Sequence, residues 1–126
     1  MLSAAERSKL LELRPKIEKA LSYTDGLFTF EDVLRYLDEE KFQHLEFADA
    51  VLVFSINVYP QGRVLNVFLV AGTLPEIEVL ESLLSEVAHI YNCKSIVATC
   101  RRGWLRSFVM ERGWKESRLV TLEREA

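Results

Sequence analysis

Three places in this chain of 126 residues carry side chains able to do chemistry. The first is Ala71-Gly72-Thr73-Leu74-Pro75-Glu76, where an apolar run ends in a glycine and a helix is expected to begin. A strand, a glycine turn and a helix N-terminus together can hold a phosphate on backbone N–H groups and the helix dipole. Pro75, however, supplies no N–H, and Glu76 and Glu78 put carboxylates where the phosphate would sit. Thr73 and Glu76 also have capping-box spacing, so the turn reads as one that closes on itself.

The second place is Arg101-Arg102-Gly103-Trp104-Leu105-Arg106. Three guanidinium groups around a glycine can bind an anion: a phosphate, a nucleic-acid backbone or an acidic partner. The plainer reading is a solvated loop whose arginines pair with nearby carboxylates. Trp104 and Trp114 read as packing residues, or as interface anchors if they are exposed. The third place is the pair of early strands, where Glu46 is the one candidate general base. His44 and His89 have no carboxylate or nucleophile at a telling spacing and read as structural or exposed. Cys93 and Cys100, separated by six residues, lack the second pair a metal site needs and read as reduced thiols.

The totals set limits on these readings. An apolar fraction of 49% with 28% charged residues suits one soluble globular domain over residues 1–126. A net charge of −3 gives no global electrostatic case for nucleic acid or an anionic membrane. No apolar run approaches the roughly 20 residues that span a bilayer, and the N-terminus does not read as a signal peptide.

The elements that must position these residues follow from periodicity. Ser3 and Glu6 form a capping box, and Leu10, Leu13, Ile17 and Leu21 continue a helical stripe that Pro15 interrupts. Asp25-Gly26 is a turn. Thr29 caps a helix with Phe30, Val33, Leu34 and Leu37 on one face. Residues 42–47 can alternate as a strand, and 51–59 is a second one. Pro60-Gln61-Gly62-Arg63 is a four-residue hairpin connection, and 64–71 returns antiparallel as a strand buried on both faces. A single long helix follows to Asn92, a suitable left-handed terminus. A strand at 95–100 is expected parallel to 64–71. A short helix over 104–112 and a last strand over 114–123 complete the order. The result is an α/β domain with a mixed central sheet, an antiparallel meander plus one parallel βαβ unit, flanked by helices.

This order resembles the GNAT (N-acetyltransferase) fold. The most specific likeness lies in Cys93-Lys94-Ser95-Ile96-Val97 and Phe108-Val109-Met110-Glu111-Arg112-Gly113-Trp114, similar to that family's ending. The strand Leu65-Asn66-Val67-Phe68-Leu69-Val70-Ala71-Gly72, the loop Arg102-Gly103-Trp104-Leu105-Arg106 and the pair Gly113-Trp114 also resemble small GNAT-like proteins of tailed bacteriophages. In the family, an Arg/Gln-x-x-Gly-x-Gly/Ala turn cradles the pyrophosphate of acetyl-CoA. Here that motif is degenerate, and Val109 stands where the family often has a tyrosine acid.

The resemblance therefore implies a phage protein without ordinary acetyltransferase activity and without a cofactor. It would act as a structural or interaction protein associated with other virion proteins in packaging or ejection, located in the virion or the host bacterial cytoplasm. The alternative is a divergent N-acetyltransferase using Glu46 or Tyr59, with acetyl-CoA at Ala71, Gly72 and Thr73. A weaker alternative is an accessory protein binding nucleic acid or another anion through Arg101, Arg102, Trp104 and Arg106.

Overall fold

A computed structural model describes residues 1–126, the side chains of Phe108 and Val109 excepted. Val109, which stands where the family often has a tyrosine acid, thus lies outside the described side chains. Helices α1 (Ala4–Glu12) and α2 (Arg14–Leu21) are separate, with Pro15 in the first turn of α2. Proline is tolerated there because that N–H would have no intrahelical partner. Helix α3 (Phe30–Asp38) starts at Thr29, whose side chain accepts the Asp32 N–H while Asp32 accepts the Thr29 N–H.

Strands β1 (Gln43–Phe47), β2 (Ala50–Tyr59), β3 (Gly62–Ala71) and β4 (Ser95–Ala98) form one sheet in the order β1-β2-β3-β4. The first three are antiparallel neighbours, and β4 runs parallel to β3. The hairpin is tighter than expected. Tyr59 pairs with Gly62, leaving a two-residue turn of Pro60 and Gln61.

The expectation of one long helix after β3 is also corrected. Two helices, α4 (Leu74–Ser82) and α5 (Leu84–Ile90), meet at Leu83. The Ser82 hydroxyl donates to the Val79 carbonyl at 2.6 Å, and the Leu83 N–H reaches back only three residues, to Leu80. Such local bonds tighten the turn and bend the axis. Asn92 ends this unit at φ 60°.

The C-terminal part departs most. Instead of one helix there are two 3-10 turns, Arg102–Arg106 and Phe108–Arg112. The expected last strand over 114–123 does not form. Trp114 is half-buried against the α4/α5 side of the core, but Leu119, Val120 and Leu122 are 80–89% exposed. Strand propensity alone does not order a segment that lacks a ladder partner and a buried face.

The core lies on both faces of the sheet. Leu10, Ile17, Phe30 and Val33 pack on Val51, Val53, Leu69 and Ala71, while Leu80, Leu84 and Ala88 pack on Leu52, Phe54, Leu65 and Val67. Each fully buried Leu, Ile or Phe contributes about 1.5–3 kcal/mol. The expectation that β3 is buried evenly on both faces needs refinement, because the strand changes face part-way. Val53 pairs with Leu69 but Phe54 pairs with Val67, so Phe68 is an extra residue in a β-bulge. A bulge inverts the alternation and bends the strand. Leu65 and Val67 therefore face α4 and α5, whereas Leu69 and Ala71 face α1–α3. Phe68 itself stacks on Phe42 and meets Phe28 edge-on, each at a centroid distance of 4.7 Å.

Candidate functional site

The bulge also decides where β3 and β4 part. Their pairing runs from Val64/Ser95 to Val67/Ala98 and goes no further. The next β3 residue is Phe68. Beyond it β3 continues to Ala71, and the chain after Ala98 leaves the sheet. A cleft of about 760 Å³ lies at the carboxyl ends of these two parallel strands. Open α/β sheets place ligands at such a divergence.

Each wall of the cleft comes from a different element. Strand β3 and helices α4 and α5 give Val67, Leu69, Ile77 and Leu84, an apolar floor. Helix α2 and the turn after it give Lys16, Lys19, Ala20 and Tyr23, which recur at i, i+3, i+4 and i+7 along one helical face. The segment after β4 gives Thr99, Cys100 and Arg101, followed by Trp104, and Trp114 closes the α4 side.

Positive charge gathers at the mouth. The Arg101 guanidinium lies 4.9 Å from the centre of the Tyr23 ring. Lys16 donates to the backbone carbonyl of Asp49 at 3.1 Å. Among the described residues, none of Lys16, Lys19 and Arg101 has a carboxylate within 4.0 Å.

The groups in the cleft able to move a proton are mostly engaged. Glu81 accepts from the Trp114 indole at 3.0 Å and from Arg112 at 3.2 Å. Burial pushes the Cys100 thiol above its ordinary value, so the thiol stays protonated near neutral pH.

The turn after β3 is filled by its own side chain. Oε1 of Glu76 accepts the Thr73 N–H at 3.1 Å and the Thr73 hydroxyl at 2.8 Å, and Oε2 accepts the Asp49 N–H at 3.0 Å. These bonds, led by the one from Asp49, hold the Glu76 carboxyl below the usual glutamate range. Gly72, at φ +144°, lies so close to Ala50 that an added Cβ would come within 2.4 Å of the Ala50 Cβ. The Thr73 and Asp49 N–H groups already have an anion, and it is Glu76.

No protein-family model and no curated protein matches the chain. Solved structures do. A transcriptional regulator from Bacillus halodurans C-125 is similar at TM-score 0.70 and 11% identity, over 98% of this chain and 97% of its own. An acetyltransferase from Trypanosoma brucei is similar at 0.67 and 13%, over 98% and 96%. An aminoglycoside acetyltransferase from an uncultured soil metagenomic sample is similar at 0.66 and 14%, over 99% and 95%.

The fold is GNAT-like. Identities this low speak of fold alone.

Within this GNAT-like frame the residues singled out from sequence separate into two groups. Ala71, Gly72, Thr73, Arg101 and Trp104 line the cleft. Arg102 and Arg106 are exposed and do not line it. Glu46 and Tyr59 also lie elsewhere. Glu46 sits on β1, the far edge strand, with β2 and β3 between it and β4. Tyr59 is at the hairpin, at the opposite end of β3 from the cleft, and is 54% exposed.

Glu46 does gain a partner that the chain order hid. Nε2 of His44 is 3.0 Å from its Oε1 and 3.7 Å from Glu6 on α1. Residues i and i+2 on a strand share a face, which is the signal that could have found this pair. Lys16, Lys19 and Tyr23 were missed for another reason. They flank the buried stripe of α2 and look like an ordinary solvated face until the cleft is seen beside them.

Among the described residues, no group of three or more His, Cys, Asp or Glu could hold a metal ion, and no helix is long and apolar enough to cross a membrane.

Proposed function

We propose that this chain is a divergent N-acetyltransferase that takes acetyl-CoA into the cleft between β3 and β4. The observation that carries the reading is the parting of the two parallel strands at Val67 and Ala98, which opens a cleft with an apolar floor and a cationic mouth. An elongated ligand with an apolar arm and an anionic end fits that polarity. The GNAT-like fold supports the same reading by analogy.

Acetyl-CoA would supply an activated acetyl group. This chain's residues bind and orient it. Val67, Leu69, Ile77 and Leu84 exclude water from the arm, and Trp104 and Trp114 narrow the cleft. With Glu81 held by Trp114 and Arg112, catalysis rests on orienting the acceptor amine rather than on a strong base in the cleft. Thermal shift with acetyl-CoA tests the reading, since a ligand that binds only the native state raises Tm. An unchanged Tm at millimolar acetyl-CoA would count against it.

One observation favours a second reading, a GNAT-fold interaction protein without acetyltransferase activity. Glu76 fills the turn in which the family's pyrophosphate would sit. Under that reading acetyl-CoA gives neither a Tm shift nor product.

A further inference from the structure

The α4 turn and the cleft disagree about where a phosphorylated ligand would put its charge. The turn does not fit. Its donors from Thr73 and Asp49 are taken by Glu76, Pro75 has none to give, and Gly72 is packed on Ala50. A phosphate entering there would have to displace a carboxylate that makes three hydrogen bonds, and would meet its charge at close range. A few residues away, the mouth of the cleft has the reverse character. Lys16, Lys19 and Arg101 line it from two elements, and among the described residues none has a carboxylate within 4.0 Å.

We propose that these three side chains form a phosphate site that replaces the backbone turn. The proposal rests on the reading that the cleft takes a CoA-type ligand. Lys16 and Lys19 are one helical turn apart on α2, so both ammonium groups can approach one pyrophosphate from the same side. Arg101 follows β4 on the other side of the opening, and its planar fork suits two phosphate oxygens. Tyr23, already beneath the Arg101 guanidinium at 4.9 Å, holds that fork over the mouth. Lys16 also has a reason to stay near. Its ammonium is tied to the Asp49 carbonyl, and its charge helps to hold the Glu76 carboxyl ionised. The cation that supports the closed turn therefore stands at the site that substitutes for it.

The experiment is calorimetric titration of the full chain with two probes, CoA and pantetheine, which lacks the phosphates. The proteins are the native chain, Lys16→Ala with Lys19→Ala, Arg101→Ala, and Glu76→Gln. All four positions are polar and outside the core, and a single cooperative melting transition serves as the check on folding. The expected result is CoA binding weakened about tenfold or more in the double variant and in Arg101→Ala, the size of a lost hydrogen bond to a charged group. Pantetheine binding should be unchanged, and added salt should weaken CoA but not pantetheine.

Native CoA binding that both cation variants retain would overturn the phosphate site while leaving the cleft reading intact. CoA binding strengthened tenfold by Glu76→Gln would put the phosphates at the α4 turn and overturn it as well. Absence of CoA and pantetheine binding to the native chain would remove the cleft reading, and the phosphate site with it.

Discussion

The backbone N–H of Asp49 donates to Oε2 of Glu76 across 3.0 Å, joining the β1–β2 turn to the first turn of α4. Glu76 is one of three acids, with Glu6 and Asp32, that sit third in a helix and accept N–H groups at its start. All three are held below their ordinary values, chiefly by hydrogen bonds from backbone N–H groups. A carboxyl depressed in the folded state contributes stability that is fully present above its unfolded value and is lost as pH falls through the folded one. Urea midpoints should therefore hold steady down to about pH 4.5 and fall below it. Glu31 and Glu40 are depressed as well, the first by its own backbone N–H and Arg14, the second by the N-terminal amine. In Glu76→Gln the fall should therefore be shallower by the share of one linked proton among five. An acid limb as steep as in the native chain would contradict this.

Replacing Gly72 tests how tightly that turn is closed. At φ +144°, with Ala50 in the path of a new Cβ, Gly72→Ala should destabilise by about 1–3 kcal/mol. The β3 end or the β1–β2 turn would have to move. A native Tm in this variant would mean that the turn is looser than its contacts imply.

These contacts bear on what could be read from the chain itself. The three helix starts were legible because a capping box is local, with donor and acceptor three residues apart. The parallel βαβ unit was legible from the apolar run 64–71 and the helix after it. The bulge at Phe68 was not, since Val67-Phe68-Leu69 is apolar on either alternation and only the partner strand reveals the extra residue. The missing last strand went wrong for the same reason: propensity is local, whereas pairing is not. In the candidate site, the closed turn was visible in Thr73 and Glu76. The cations of α2 were not, because they reach the cleft only through the packing of α2 against β3.

The bulge makes its own prediction. Phe68 is held by Phe28 and Phe42, and Phe68→Ala should cost about 3 kcal/mol by chemical denaturation. Phe68→Leu should recover part of that loss. A cost below about 1 kcal/mol for Phe68→Ala would show that the aromatic cluster is dispensable.

The C-terminal segment separates at Trp114. A chain ending at residue 118 removes Leu119, Val120 and Leu122, all largely exposed, and should keep the native Tm. Trp114→Ala should lower it, because that ring is half-buried and bonded to Glu81 at 3.0 Å. A large loss of stability on truncation would mean that residues 119–126 are paired in solution.

If the gap between β3 and β4 is a ligand site, calorimetric titration of acetyl-CoA into the native chain will register it. Saturable binding of one molecule per chain is expected, weakened by salt and by replacing Lys16, Lys19 or Arg101. The absence of any heat of binding at millimolar acetyl-CoA would contradict it.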